Sequence, residues 1–361
     1  MKIAIAVNIS LEHRTGVEEY IYHLLWNLPK IDGFKEHQFF LFTPSAIEGL
    51  PPELSIKILK WPFRKFWTQI RLSWEMRKKE YDILFMPVHT FPLIHPKLIA
   101  TIQGLEFERL PQMYSWFKRR FLRWITKRNI KKAEKIIVPS QNTKNDLIKY
   151  YPDVFKKVGT GKIFVVHHGV GNPEAAFDAG QTNKFGKYIL YLGRGDQRKN
   201  IQGLIKAFRI LKQEHQIPHK LVLAGPNMGY KITKDLKNDV VCTGYVDDDK
   251  KWELLKNADV FAFLSFYEGF GIPVLEAQRV GTPVVASSTS SMPEILGDPS
   301  SSGASSALLV NPYHPRDIAE AIHKIIRNQA FSDEIVKRGY ENVQRFSWRK
   351  CAEQTLKVIL S

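Results

Sequence analysis

Short apolar runs alternate along this chain with longer stretches whose apolar residues recur at helical spacing. The run Lys2–Val7 is too short and too continuously apolar for an amphipathic helix, so it reads as a buried strand. After the loop to Gly16, residues Val17, Tyr20, Ile21, Leu24, Leu25 and Leu28 share one helical face. Further strands are predicted at 37–43, 82–87, 97–102, 135–140 and 162–169. The pattern restarts with a strand at 187–193, a helix over 201–211, and strands at 219–225, 240–246, 259–266 and 282–288. Strands alternating with helices build parallel sheets covered on both faces, so the prediction is α/β, twice over. Residues 171–187 lack periodicity and are rich in turn-forming residues, which makes them the predicted interdomain linker. The segment 298–306 reads as a low-complexity surface loop, and a last helix begins near Ser347.

Length agrees with this division, since 361 residues suit two cores better than one. No stretch approaches the roughly 18 consecutive apolar residues of a membrane span. The start of the chain carries one lysine and a short apolar run without a small-residue cleavage site, which predicts a cytoplasmic protein. Cys242 and Cys351 lack metal-ligand spacing and are expected to be packed thiols.

The net charge of +17 changes the picture, because solubility needs far less, and its basic excess is larger in the first half. Much of it sits in one predicted helix, 116–135. There Lys118, Arg119, Arg120, Arg123, Lys127, Arg128, Lys131, Lys132 and Lys135 mingle with Trp116, Phe117, Phe121, Leu122, Trp124 and Ile125. Two readings fit: a solvated face, or a contact with anionic lipid headgroups on the inner face of a membrane. Nothing resembles a zinc finger, an RNA-recognition motif or a basic zipper, so nucleic acid is not an expected partner.

The densest chemistry lies in Ser265–Ser287. A strand runs into Glu268, then Gly269, Phe270 and Gly271, then Pro273 and Glu276 on a helix, then Gly281 and a second apolar strand. Glycine permits backbone turns that a side chain blocks, and proline suits the first helical turn. N–H groups left open at a helix start attract phosphate. Glu276, one turn in, can accept hydrogen bonds from a sugar diol; acid near a helix N-terminus also simply stabilises the dipole. Arg194 and Lys199 flank the loop after the strand at 187–193, ahead of a helix that Asn200 is expected to cap. They could aim two cations at the sheet's carboxyl end, where open α/β sheets bind ligands.

With these residues in place, the chain resembles the retaining GT-B glycosyltransferases, whose hallmark is Glu, seven residues, Glu, here Glu268 to Glu276. The resemblance implies two Rossmann-like parallel-sheet domains facing a cleft. An acceptor-side domain would span 1–175 and a nucleotide-sugar domain 176–346, with the helix 347–361 packed back on the first. It implies transfer of a hexose, with mannose favoured, from a nucleoside diphosphate sugar, with GDP-mannose favoured, to a saccharide or lipid-linked acceptor. No cofactor and no metal are implied.

Arg194 and Lys199 fall on the family's phosphate-binding positions. Glu268 would hold the sugar beside Gly269, Phe270 and Gly271, and Glu276 the ribose. Thr15 and Gly16 would line the donor site, and Thr243 to Val246, with Tyr245 and Val246, would contact the base through the backbone. Ser290 and Ser291, ahead of Glu294, are further candidates, while Asp247, Asp248 and Asp249 read as an acidic helix start. The chain departs from the family where many members carry a His-Asp pair: here Gln103 and Gly104 stand instead. Gln103 can exchange hydrogen bonds but takes no proton at neutral pH, so it positions the sugar, or His89 or Glu106 assists the acceptor. A non-catalytic membrane-surface scaffold and a nucleotide-sugar epimerase are the alternatives.

Overall fold

A computed structural model describes the chain except residues 9–13, 15, 64, 174–183, 227 and 298–304. It divides into two compact units, Met1–Gly169 with Ser347–Ser361, and Val170–Phe346. The first holds a parallel sheet of β1 (Lys2–Ala6), β2 (Gln38–Thr43), β3 (Ser55–Ile58), β4 (Ile83–Met86), β5 (Lys97–Thr101), β6 (Lys135–Val138) and β7 (Ile163–Val165). Their order is β3-β2-β1-β4-β5-β6-β7, with Ile3 of β1 level with Phe39 of β2 and Ile83 of β4. The second sheet comprises β8 (Tyr188–Leu192), β9 (Lys220–Ala224), β10 (Val240–Gly244), β11 (Val260–Phe263), β12 (Val284–Ser287) and β13 (Leu308–Val310), in the order β10-β9-β8-β11-β12-β13.

The central strands β4, β8, β11 and β12 are buried at every residue, because helices cover both faces; hence their unbroken apolar runs. The edge strands β3 and β13 escape the sequence pattern. β3 reads Ser-Ile-Lys-Ile and is largely exposed, so it lacks a continuous apolar run, and β13, though apolar, is only three residues long.

In each sheet the strand order reverses beside the first strand, between β1 and β4 and again between β8 and β11. Loops leaving those two neighbours at their carboxyl ends diverge to opposite faces and open a crevice. The second of these crevices gathers the chemistry described below.

The last helix, Trp348–Leu360, completes the first unit. Ser347 caps it, its hydroxyl accepting from Lys350 N at 3.0 Å. Trp348, Leu356, Val358 and Ile359 are buried, and Trp348 stacks on His23 with ring centroids 4.8 Å apart. Gly169 is required where the chain leaves this unit, since a Cβ there would lie 2.1 Å from Trp348 N. Of the two cysteines, Cys351 is buried as expected, but Cys242 is exposed, because β10 is the edge strand of its sheet among the described residues. Thr15, most of the predicted linker 171–187 and most of the predicted loop 298–306 lie outside the described residues.

Candidate functional site

At the carboxyl end of β8 the chain turns through Gly193, whose φ of 144° suits glycine, and Tyr191 Oη donates to Arg194 O at 3.0 Å. A single 3₁₀ turn, Gln197–Lys199, then leads into the helix Ile201–Gln213. The loop leaving β11 is tied to this turn by Phe266 N donating to Arg198 O at 2.9 Å. Glu268 follows, 8% exposed. Its Oε1 accepts from Lys199 Nζ at 2.7 Å and lies 3.0 Å from Arg198 Nη1, which also donates to Tyr267 O at 3.0 Å. Ser290 and Ser291 brace the turn from the next loop. Glu268 N donates to Ser290 Oγ at 3.0 Å, and Ser291 Oγ donates to the carbonyls of Glu268 and Phe270 at 3.1 and 2.8 Å.

Burial alone would raise the Glu268 pKa, but the charges of Arg198 and Lys199 outweigh it and bring the carboxyl down to about 2. Lys199 feels the converse: burial pulls its pKa down, and Glu268 opposes that pull. The ammonium also lies over the Phe263 ring, 4.8 Å from its centroid. The result is a buried ionised cluster at the topological switch point, two donors of positive charge sharing one carboxylate oxygen.

The turn continues as the sequence predicts. Gly271 has φ 109°, and a Cβ there would lie 2.3 Å from the Met292 terminal methyl, so both conformation and space call for glycine. The helix Ile272–Arg279 starts at this point with proline in its first turn. Glu276 is 4% exposed and pairs with Lys251 Nζ at 2.8 Å, which also reaches Asp248 at 3.1 Å. Lys251 comes from the helix Asp248–Lys256, whose cap is the Asp247 carboxylate accepting from Lys250 N at 2.8 Å. The three aspartates are thus the acidic helix start expected of them.

Glu268 and Lys199 are therefore in direct contact, while Glu276 is held by a different cation. Arg194 shares the Lys199 loop, with an exposed side chain. Gly269 and Phe270 form the turn itself, and Tyr245 and Val246 follow β10, with Tyr245 exposed. Gly16 and Gln103 belong to the first unit, at the start of the helix Gly16–Asn27 and at the exit of β5. Gln103 Nε2 is buried with no hydrogen-bond partner among the described residues. His89 Nε2 lies 2.5 Å from Thr126 Oγ1, and burial pulls the His89 pKa down to about 4. Asn200 stands at the expected cap position, but its side chain donates to Pro312 O at 2.6 Å instead of capping the helix.

Sequence reasoning passed over Arg198 and Lys251. The Arg-Lys pair at 198 and 199 offered a signal for the first, but only packing shows that both cations turn to one carboxylate. Lys251 sits in a run of charges with nothing local to single it out.

The basic helix forms over Trp116–Lys132, with Ser115 at its cap. Ile125, Thr126, Asn129 and Ile130 face inward, while Phe117, Phe121 and Trp124 lie on an exposed face, Phe117 at 79% exposure. Some of its charge is structural: Arg119 and Arg123 reach buried Glu108 at 3.4 and 3.0 Å. Arg128 donates to Leu93 O at 3.3 Å, and Leu93 N donates to Ser73 Oγ at 2.7 Å, beside Trp74 at 69% exposure. Among the described residues no helix is long and apolar enough to cross a membrane.

A family model described as "Glycosyl transferases group 1" matches residues 174–342, and one described as "Glycosyltransferase Family 4" matches residues 14–171. The O-antigen chain mannosyltransferase B of Escherichia coli is 25% identical over 296 residues, covering 79% of this chain and 76% of that protein. The structure of WaaG, a glycosyltransferase involved in lipopolysaccharide biosynthesis, is similar with a TM-score of 0.76 and 12% identity over 99% of each chain. Anabaena HepE in complex with UDP-glucose is similar with a TM-score of 0.70 and 17% identity, covering 100% of this chain and 99% of that one.

Proposed function

We propose that this chain, which belongs to the GT-B glycosyltransferases of the group 1 and family 4 models, moves a hexose from a nucleoside diphosphate sugar to a saccharide or lipid-linked acceptor. Mannose, carried by GDP, is the favoured donor sugar, with retention of configuration and no metal. The observation that carries this reading is the buried Glu268, Lys199 and Arg198 cluster at the carboxyl ends of β8 and β11. The mannosyltransferase relative supports mannose, and the UDP-glucose held by a structural neighbour supports a nucleoside diphosphate donor.

In this reading the acceptor oxygen bonds to the sugar's anomeric carbon as the bond from that carbon to the phosphate oxygen breaks. The electron pair leaves with the diphosphate, and the acceptor proton passes to a phosphate oxygen. Lys199, Arg198 and Arg194 neutralise the charge that develops there, without a metal ion. Lys199 is already dehydrated, so its charge acts in a medium that screens little. When phosphate takes over these cations, Glu268 becomes available to accept from a sugar hydroxyl; Glu276, which pairs with Lys251, accepts from the ribose. Gln103, whose amide nitrogen is buried with no hydrogen-bond partner among the described residues, acts as a donor rather than as a base. The exposed aromatic and basic face of the helix Trp116–Lys132 rests on anionic lipid, which sets the enzyme at the inner face of a membrane where lipid-linked acceptors lie.

A thermal-shift panel of nucleotide sugars is expected to single out one donor, followed by product analysis with that donor labelled. A transferase releases free sugar without acceptor and glycosylates a supplied one. A changed sugar still on the nucleotide would mean an epimerase, and no turnover a scaffold; either outcome overturns the proposal.

A further inference from the structure

The second unit carries a cluster of metal-ligand side chains that the transfer site does not use. Glu320 and His323 stand three residues apart on the helix Pro315–Arg327, so they share one face a turn apart. The opposite face of that helix is anchored by buried Ile318, Ala319, Ile322 and Ile325. His215 comes from the turn after the helix Ile201–Gln213, more than a hundred residues away in sequence.

Packing brings the three together. His215 Nε2 lies 3.3 Å from Glu320 Oε1, and the His215 and His323 rings stack with centroids 3.8 Å apart. One ligand atom from each residue lies within 4.8 Å of the others. The turn bearing His215 is fixed by its neighbour, since Arg316 donates to both carboxylate oxygens of Glu214, at 2.8 Å each.

We propose that His215, Glu320 and His323 form a surface site for a divalent transition-metal ion of the zinc class, which clips the end of the helix Ile201–Gln213 to the helix Pro315–Arg327. The donor set is two imidazole nitrogens and one carboxylate oxygen, which suits zinc and its neighbours and not magnesium or calcium, whose preferred ligands are all oxygen. Zinc ligands at about 2.0–2.2 Å from the ion stand roughly 3.4 Å apart around a tetrahedron. The His215–Glu320 separation of 3.3 Å already matches that spacing, and all three ligand atoms lie within 4.8 Å of one another. Three protein ligands leave one position for water. None of them belongs to the proposed donor site, so the ion acts on stability and not on transfer.

Calorimetric titration of zinc chloride into the full chain should show saturable binding of one ion, and the melting temperature should climb with zinc concentration. His215→Ala and His323→Ala should each weaken binding by more than about tenfold, the scale on which even outer partners of a metal site act. Glu320→Gln, which keeps the side chain's shape, should weaken it as well, while Cys242→Ser should bind as before and magnesium chloride should produce no rise. Cobalt(II) should give visible bands that both histidine variants lose. The proposal is overturned by an absence of saturable zinc binding, by binding that survives in both histidine variants, or by binding lost in Cys242→Ser.

Discussion

Glu268 is a carboxylate held charged in a place where burial alone would neutralise it. Breaking such a pair from one side leaves cations without compensation, at a cost on the order of 3–5 kcal/mol. Glu268→Gln is thus expected to lower the stability of the second unit by about that much at neutral pH, leaving it folded, since domains commonly hold about 5–15 kcal/mol. Donor turnover should be lost at the same time. The pH dependence follows from the depressed carboxyl. Its contribution is complete above the ordinary value of 4.5 and is lost as pH falls toward about 2. Across that window one proton corresponds to a slope of about 1.4 kcal/mol per pH unit. Denaturant unfolding of wild type and Glu268→Gln at several pH values should show the variant's stability falling less steeply with acid. Parallel slopes would remove the ionised cluster.

Among the elements, the glycine-bearing turn and the basic helix each behave as a unit. Gly271→Ala places a side chain at φ 109° and against Met292, so the turn that aims Glu268 and starts the next helix is strained. A loss of about 1–3 kcal/mol is expected, read as a lower urea midpoint at unchanged slope. An unshifted midpoint would show that the turn can relax. The helix Trp116–Lys132 turns its aromatic residues outward, the reverse of what a merely solvated basic face requires. Replacing Phe117, Phe121 and Trp124 with serine should leave the fold intact and reduce sedimentation with anionic vesicles, and high salt should reduce it further, each nearby cation contributing about 1 kcal/mol at the surface. Wild-type protein that sediments equally with neutral and anionic vesicles would exclude the headgroup contact.

At the scale of the whole molecule, the chain builds its first unit, leaves it at Gly169, builds the second, and returns at Ser347 to finish the first. Trp348, Leu356, Val358 and Ile359 are buried there at roughly 1.5–3 kcal/mol each. Their sum rivals the whole stability of a domain, about 5–15 kcal/mol. Truncation after Phe346 should therefore unfold residues 1–169 while 170–346 still binds nucleoside diphosphate. Limited proteolysis and calorimetry with GDP would separate the two units, and protected amides in the first unit of the truncated chain would contradict the dependence.

Much of this was legible along the chain. Covered central strands announce themselves as unbroken apolar runs, helices by their stripes, and the turn from Glu268 to Glu276 by glycine and proline, because each signal depends on residues a few positions apart. Tertiary structure decided what depends on distant partners. Arg198 and Lys199 meet Glu268 from 70 and 69 residues away, Asn200 turns to Pro312, and His215 meets Glu320 and His323. Strand order decided that Cys242 is exposed and left β3 and β13 at edges, the first half polar and the second too short to be seen. The physical reason is the same in each case. Periodicity reports which face of an element is dry, whereas the partner waiting on that face is chosen by sheet order and packing, which bring together residues that no local pattern connects.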